Sequence, residues 1–214
     1  MTNMKWTALA FFALTATAFS RPPSARQLII HAEHLAAKAH KNVLVDFRAS
    51  WCPWCRHFDK LIETPPYKAD FEKSYIYAPI VIRERDELRK LENRGWQGAM
   101  RRLRHSRKMD IPYLVILSPE GKELGDSLEP KKGAIPDNAG FPRTKKEVEA
   151  FLALLHRTGS GFPPQDLESM REVFAKTDKL EIVREKAKKE KARKAKEAKA
   201  RAAAVRHKKR AHTG

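Results

Sequence analysis

The amino-acid sequence predicts an α/β domain followed by a basic C-terminal arm. Residues 42–47 form a near-continuous, valine-rich apolar run, which is typical of a strand that is covered on both faces. Residues 53–63 follow almost at once, with apolar residues at helical spacing and with Pro53 in the first turn. Residues 111–124 predict a strand, a turn and a second strand, and therefore a hairpin.

Apolar spacing, helix caps and turn residues predict the remaining elements. In chain order these are a helix at residues 24–41 with Ser24 as its N-cap, a strand at 74–84, a charged helical segment at 85–110 that breaks near Gly95, a loop at 134–144 and a closing helix at 144–159. The chain has 214 residues, of which 42% are apolar, enough for one modest hydrophobic core. We therefore expect a single folded domain with appendages.

The positive charge of the chain is concentrated at its C-terminal end. The formal net charge is +18, and residues 184–210 contribute +11 of it, with 14 Lys or Arg against 3 Glu. We divide this end into a linker with a short amphipathic helix at residues 161–182 and a Lys/Arg/Ala-rich basic tail at 183–214. Since the tail has no apolar face to bury, we expect it to be a solvated helix or a disordered arm.

Residues 1–20 predict a signal peptide. Lys5 stands ahead of an apolar run at residues 6–14, and small residues follow with the Ala-x-Ala spacing that suits a signal peptidase. The apolar run is too short to span a bilayer comfortably. We therefore expect export, to the periplasm or as a secreted protein, with cleavage after Ala18 or Ser20; an uncleaved N-terminal anchor is the alternative.

Cys52 and Cys55 are the only cysteines of the chain, and they stand at the start of the helix predicted at residues 53–63. At a helix N-terminus, Cys52 faces unpaired backbone N–H groups and the positive end of the helix dipole. These lower the pKa of a thiol below its ordinary value of about 8.5. Cys55 lies one turn along on the same face, within reach of a mixed disulfide formed at Cys52. The pattern predicts Cys52 as the nucleophile and Cys55 as the resolving thiol of a redox dithiol.

Two other interpretations of the cysteine pair remain. Cys-x-x-Cys is half of a zinc ribbon, but the sequence has no second pair, and His57 would have to turn back along its own helix to become a ligand. A permanently closed structural disulfide is the other interpretation, although a loop this short removes little chain entropy. We expect no metal and no organic cofactor.

Two sequence motifs occur in the order that is found in one protein family. VLVDFRASWCPWC joins a strand to the dithiol, and DIPYLVILSPEGKEL places an Ile-Pro pair ahead of the hairpin. On these motifs, roughly residues 25–158 resemble the thioredoxin superfamily. The resemblance implies a thioredoxin-like fold at residues 21–160, with a central mixed β-sheet and helices on both faces. Relative to a minimal thioredoxin, the sequence carries a basic insertion at about residues 83–109.

The resemblance also implies roles for residues around the dithiol. Asp46 matches a buried acid that helps to move the proton of the resolving cysteine, and Pro112 matches a cis-proline that lies against the dithiol. Trp51 and Trp54 flank the thiols, where they form an apolar rim for a substrate chain or simply pack around the helix start. The expected substrate-binding residues are Trp51, Pro53, Trp54, Ile111 and Pro112.

The predicted function is that of an exported thiol–disulfide oxidoreductase that reduces or exchanges disulfides in proteins. Pro53-Trp54 is neither the Gly-Pro of ordinary thioredoxins nor the Pro-His of strongly oxidising periplasmic enzymes, so the direction of electron flow stays open. The expected partners are protein or peptide substrates with disulfides or thiols, and a redox partner that recycles the dithiol. We expect the protein to be a monomer.

The alternative function is a non-catalytic binding module of the same fold. Its basic tail would hold an anionic envelope surface or another polyanion. Export disfavours a nucleic-acid target, and no aromatic residue interleaves with the basic run to stack on bases. Both cysteines stand in the reactive spacing, and this favours the enzyme.

Overall fold

The computed structural model describes residues 21–103, 110–129 and 137–211, and the side chains among these up to residue 199. The signal peptide predicted at residues 1–20 lies outside the described residues, as does the end of the predicted insertion at residues 104–109.

A four-stranded mixed β-sheet forms the centre of the domain. Its strands are β1 (Asn42–Arg48), β2 (Tyr75–Val81), β3 (Tyr113–Leu117) and β4 (Glu123–Asp126), in the spatial order β2-β1-β3-β4. β1 runs parallel to β2 and antiparallel to β3, and β3 pairs with β4 as the predicted hairpin. The predicted mixed sheet is therefore confirmed.

Helices cover both faces of this sheet. In the described part of the chain they are α1 (Ala25–Ala39), α2 (Pro53–Glu63), α3 (Tyr67–Ser74), α4 (Trp96–Leu103), α5 (Lys145–Thr158) and α6 (Pro164–Ala211). A 3₁₀ helix at Asp86–Leu91 precedes α4, so the charged segment after β2 is broken near Gly95 as predicted. Two short strands, β5 (Leu128–Glu129) and β6 (Asp137–Asn138), pair beside the main sheet, and β6 lies within the predicted loop. Ser24 caps α1 as predicted, by accepting a hydrogen bond from the backbone N–H of Gln27.

The alternating side chains of β1 divide the core into two layers. Val43, Val45 and Phe47 pack with residues of α1 and α4 on one face of the sheet. Leu44 packs on the opposite face with residues of α2, α3 and α5. Because alternate residues of a strand share a face, Asp46 lies on the same side of the sheet as Leu44 and α2.

α6 differs from the predicted linker and separate tail. It begins at Pro164, and its first turns pack on the domain, with Met170 and Phe174 fully buried among residues of α2 and α5. From Ile182 to Lys199 its side chains are exposed. The helix continues because Ala, Lys, Arg and Glu favour helix, and ion pairs such as Arg193 with Glu190 and Glu197 link its turns. None of the helices in the described residues, α6 included, is long and apolar enough to cross a membrane.

Candidate active site

The dithiol lies at the junction between β1 and α2. Cys52 is the N-cap residue of α2, and its Sγ accepts a hydrogen bond of 3.1 Å from the backbone N–H of Cys55. The two cysteines are joined as a disulfide with their Cα atoms 5.3 Å apart, and both side chains are buried. The first turn of α2 thus directs a backbone N–H group at the sulfur that is predicted to carry the thiolate.

A buried carboxylate that the sequence analysis missed holds the turn in front of Cys52. Glu84 accepts hydrogen bonds from the backbone N–H and the hydroxyl of Ser50, each 2.6 Å long. Beside it, the indole N–H of Trp51 donates to the carbonyl of Arg83 over 2.7 Å. The local sequence signal is an acidic residue at the end of an apolar strand. Its partner lies 34 residues away, so local patterns do not reveal the pairing.

The Ile111–Pro112 loop lies against the dithiol. The peptide bond between these two residues is cis, as the resemblance implies, and the carbonyl oxygen of Ile111 is 3.5 Å from Sγ of Cys52. Asn138 fastens the loop, since its Nδ2 donates to the carbonyl oxygens of Asp110 at 2.9 Å and of Pro112 at 2.7 Å. A loop more than twenty residues further along the chain therefore positions the backbone that faces Cys52.

Gly140 lets the chain pass closely behind Pro112. Its φ is +54°, in the left-handed region, and a Cβ at this position would lie 2.6 Å from the carbonyl oxygen of Pro112. The adjacent Asn138 is itself fixed, because its Oδ1 accepts a hydrogen bond of 2.7 Å from Ser127. Sequence analysis predicted only a loop here. A glycine two residues after an asparagine is the only local signal of this contact.

All five residues that were predicted to bind substrate line one cleft beside Cys52. The cleft has a volume of about 430 Å³. The predicted residues in its wall are Trp51, Pro53, Trp54, Ile111 and Pro112. Asn138, Phe141 and Arg143 are among the residues that line the cleft on the side of the Pro/Gly-rich loop.

The two tryptophans are packed as well as placed at the cleft. The guanidinium of Arg85 lies 4.3 Å from the ring centre of Trp51. Trp54 stacks on Phe141 with ring centres 5.8 Å apart, and the guanidinium of Arg143 lies 4.7 Å from its ring centre. These contacts agree with the packing interpretation, and the substrate-rim interpretation stays a prediction.

α6 contacts the active-site helix directly. Asp178 accepts a hydrogen bond of 2.8 Å from Nε of Arg143, which in turn covers Trp54. Glu181 lies 3.0 Å from Nε2 of His57 on α2. His57, which was weighed as a ligand of a zinc ribbon, thus contacts α6. Among the described residues, no group of three His, Cys, Asp or Glu side chains is placed to hold a metal ion.

Asp46 lies in β1, six residues before Cys52. It is completely buried, and its Oδ2 accepts a hydrogen bond of 2.7 Å from the hydroxyl of Tyr77. Burial raises the pKa of Asp46 to about 6, against the opposing charge of Arg48 and the hydrogen bond from Tyr77. Within the described residues its Oδ1 has no hydrogen-bond partner. A carboxyl group that titrates near pH 6 is suited to exchange a proton with a thiol close to neutrality.

Part of the chain matches a known protein family. The thioredoxin-like family model matches residues 31–119, a segment that contains β1, the dithiol and the Ile111–Pro112 loop. No curated protein sequence matches the chain significantly.

Comparison with solved structures gives matches of low sequence identity and low TM-score. A disulphide isomerase from Xylella fastidiosa Temecula1 is 21% identical, with 51% of this chain and 80% of that chain covered and a TM-score of 0.38. A thioredoxin from Thermus thermophilus is 20% identical, with coverage of 59% and 81% and a TM-score of 0.37. The oxidised C-terminal domain of DsbD from Neisseria meningitidis is 14% identical, with coverage of 62% and 97% and a TM-score of 0.39. With TM-scores below 0.5, these structures support no argument about the activity of this chain.

Proposed function

We propose that the chain, whose residues 31–119 match the thioredoxin-like family model, is a thiol–disulfide oxidoreductase that reduces or exchanges disulfides in proteins. The observation that carries the proposal is the position of the only two cysteines. Cys52 and Cys55 open α2, and Cys52 borders a cleft next to the cis Ile111–Pro112 bond. A purely structural disulfide has no need of a cleft or of N–H groups aimed at one of its sulfurs.

The first step begins from the reduced dithiol. The N–H groups at the start of α2 stabilise a thiolate on Cys52. This thiolate attacks one sulfur of a substrate disulfide, a bond forms between the two sulfurs, and the substrate's other sulfur leaves as a thiolate that takes a proton from water. Cys52 is then joined to the substrate in a mixed disulfide.

The second step releases the substrate. The thiol of Cys55 gives its proton to the carboxylate of Asp46, and its sulfur attacks Sγ of Cys52. The bond between Cys52 and the substrate breaks as the Cys52–Cys55 disulfide forms, and the second substrate sulfur leaves as a thiolate. In total the substrate disulfide gains two electrons and the dithiol loses two.

The cleft selects an extended segment of a protein or peptide as the substrate. Its volume of about 430 Å³ holds a few side chains on either side of a substrate cysteine. Trp51 and Trp54 supply apolar surface to that segment, and the Ile111 backbone lies next to the reacting sulfur.

The oxidised dithiol needs a partner to return to its starting state. A dithiol donor recycles it for net reduction, and a disulfide donor recycles it for net oxidation. We place this cycle outside the cytoplasm because of the charged, apolar and small-residue pattern of residues 1–20. Cell fractionation and the intact mass of the mature protein test this placement, since cleavage after Ala18 or Ser20 removes a defined mass.

The decisive experiment is a redox equilibrium of the dithiol. The protein is incubated in glutathione buffers of graded potential, and the free thiols are alkylated and counted by intact mass, with Cys52→Ser as the control. We expect one reversible two-electron transition between about −120 and −270 mV, the range of known exchange enzymes. If the pair stays oxidised throughout this range, the proposed oxidoreductase activity is wrong. The non-catalytic binding module with its basic helix is then the remaining function.

A further inference from the structure

One arginine is held between two carboxylates behind the dithiol. Arg48 ends β1, and its Nη1 lies 3.5 Å from Oδ2 of Asp46. Both Nη1 and Nη2 of the same guanidinium donate to Asp59 on α2, in a two-pronged ion pair. Nη1 also donates to the hydroxyl of Tyr77 over 2.8 Å. Arg48, Asp59 and Tyr77 therefore form one network that ends on Asp46.

The network is shielded from water. The side chains of Arg48 and Asp59 are 16% and 28% exposed, and Asp46 is not exposed at all. In such surroundings a charge acts on its neighbour far more strongly than at a free surface. Among the described residues, Arg48 is the only cation whose charge acts on the pKa of Asp46.

The charged and polar groups that act on Asp46 come from three elements. β1 supplies Arg48, β2 supplies Tyr77, and α2 supplies Asp59. On β3 the residue paired with Asp46 is the apolar Leu114. Without Arg48, the Asp46 carboxylate would keep its hydrogen bond from Tyr77 but would face the Asp59 carboxylate without a neighbouring cation, and its charged form would be disfavoured.

We propose that Arg48, anchored by Asp59, is a positioning residue whose charge keeps the carboxylate of Asp46 ionised and able to take the proton of Cys55. The inference rests on the proposed exchange function, which uses Asp46 as the proton acceptor of the second step. Arg48 touches neither sulfur nor substrate in this scheme. Asp59 accepts hydrogen bonds from both Nη atoms of Arg48 and so fixes its guanidinium. Tyr77 donates to Oδ2 of Asp46, the same oxygen that Arg48 approaches.

The first test reads Asp46 itself and needs no enzyme activity. The carboxyl carbon of Asp46 is titrated by ¹³C NMR in the full chain, with Asp46→Asn to assign the signal. Loss of the nearby cation in Arg48→Met should raise the midpoint by about 1–2 pH units. Arg48→Gln, which keeps a hydrogen-bond donor without the charge, should do the same, and Arg48→Lys should restore part of the wild-type midpoint. Arg26→Met, which removes an exposed arginine of α1, should leave it unchanged.

The second test reads the exchange reaction. The acid limb of the pH–rate profile for release of a peptide from its mixed disulfide should move upward in Arg48→Gln by the shift seen in the NMR titration. In the Asp46→Asn background, Arg48→Gln should change the profile no further, because its effect passes through Asp46. An unchanged Asp46 midpoint in both neutral variants overturns the inference, and so does a shifted midpoint with an unmoved rate profile. A complete lack of exchange instead removes the proposed function, while the NMR midpoint still decides what Arg48 does to Asp46.

Discussion

Ser50 donates two hydrogen bonds of 2.6 Å to one buried carboxylate, that of Glu84, from its backbone N–H and from its hydroxyl. Ser50 stands two residues before Cys52, and Glu84 is 5% exposed. Glu84 thus joins the loop after β2 to the turn that positions Cys52. Hydrogen bonds to a charged acceptor contribute about 1.5–3 kcal/mol each, so this contact is a main determinant of the turn.

Glu84→Ala should lower the free energy of unfolding by about 2–3 kcal/mol, because it leaves the Ser50 N–H buried without an acceptor. Glu84→Gln should lose less, since its amide oxygen still accepts one of the two bonds. Chemical denaturation of the oxidised protein measures both effects. Glu87→Ala, in the exposed 3₁₀ helix, is the matched control and should change stability by less than about 0.5 kcal/mol. Equal stabilities of Glu84→Ala and the control would show that Glu84 does not hold the turn.

Gly140→Ala should disturb the Ile111–Pro112 loop. The added Cβ meets the Pro112 carbonyl oxygen at 2.6 Å, and φ at this position is +54°. We expect a loss of about 1–3 kcal/mol in stability and slower exchange through a displaced loop. Gly98→Ala in α4 is the control, since in the described part of the chain no atom beyond its own neighbours and helix backbone lies within 4 Å of an added Cβ, and it should be neutral or stabilise by up to about 1 kcal/mol. If both variants melt alike and exchange at the wild-type rate, the close approach at Gly140 is not a constraint.

Local patterns predicted the parts of this fold that depend on neighbouring residues. The buried run at 42–47, the N-cap Ser24 and the break near Gly95 depend on periodicity and capping, and the structure has each of them. α3 was not predicted, because it has only eight residues and lies between a proline pair and a strand, too short for a clear apolar period. A segment of two turns acquires its helical state largely from packing, which the sequence does not display.

In the candidate site, too, local sequence marked some residues, whereas those that act through distant partners were missed. Cys52 and Cys55 were predicted from their spacing at a helix start, and the motif around Pro112 came from the family resemblance. Glu84 and Asn138 act through partners 34 and 26 residues away, and no pattern of hydrophobicity marks such polar contacts in advance. Arg48 lies in the predicted motif, but the sequence does not show that its guanidinium contacts both Asp46 and Asp59. That contact depends on how β1 pairs with β2 and how α2 packs against β1.

Stability should depend on pH through Asp46. Its folded-state pKa is about 6, whereas the ordinary value for an aspartate is about 3.9. A raised folded-state pKa favours folding fully below pH 4, and this contribution is lost as the pH rises through 6. Asp46→Asn does not ionise, so the difference in unfolding free energy between Asp46→Asn and the wild type should increase in favour of the variant by about 2 kcal/mol from pH 4 to pH 7. Denaturant titrations of both proteins at several pH values measure the difference, and a gap that stays constant across this range would contradict the raised pKa.

The first turns of α6 should prove to be part of the folded domain. Phe174 is completely buried, with its ring centre 5.0 Å from that of Phe141 and 5.8 Å from that of Phe151. Phe174→Ala should therefore lower the free energy of unfolding by about 3–5 kcal/mol. Leu180→Ala, on the same helix but 48% exposed, should cost much less.

Truncation separates the packed part of α6 from its basic part. A chain that ends at residue 184 keeps Met170, Phe174 and the contact of Glu181 with His57, so its melting temperature should match that of the full chain. A chain that ends at residue 160 loses these contacts and exposes Trp54 and Phe141 beside the cleft. Its melting temperature should fall by many degrees, and its dithiol should react faster with an alkylating agent after reduction. If the chain that ends at residue 160 has the melting temperature of the full chain, residues 161–182 are the linker that composition alone suggests. In that case α6 does not stabilise the substrate cleft.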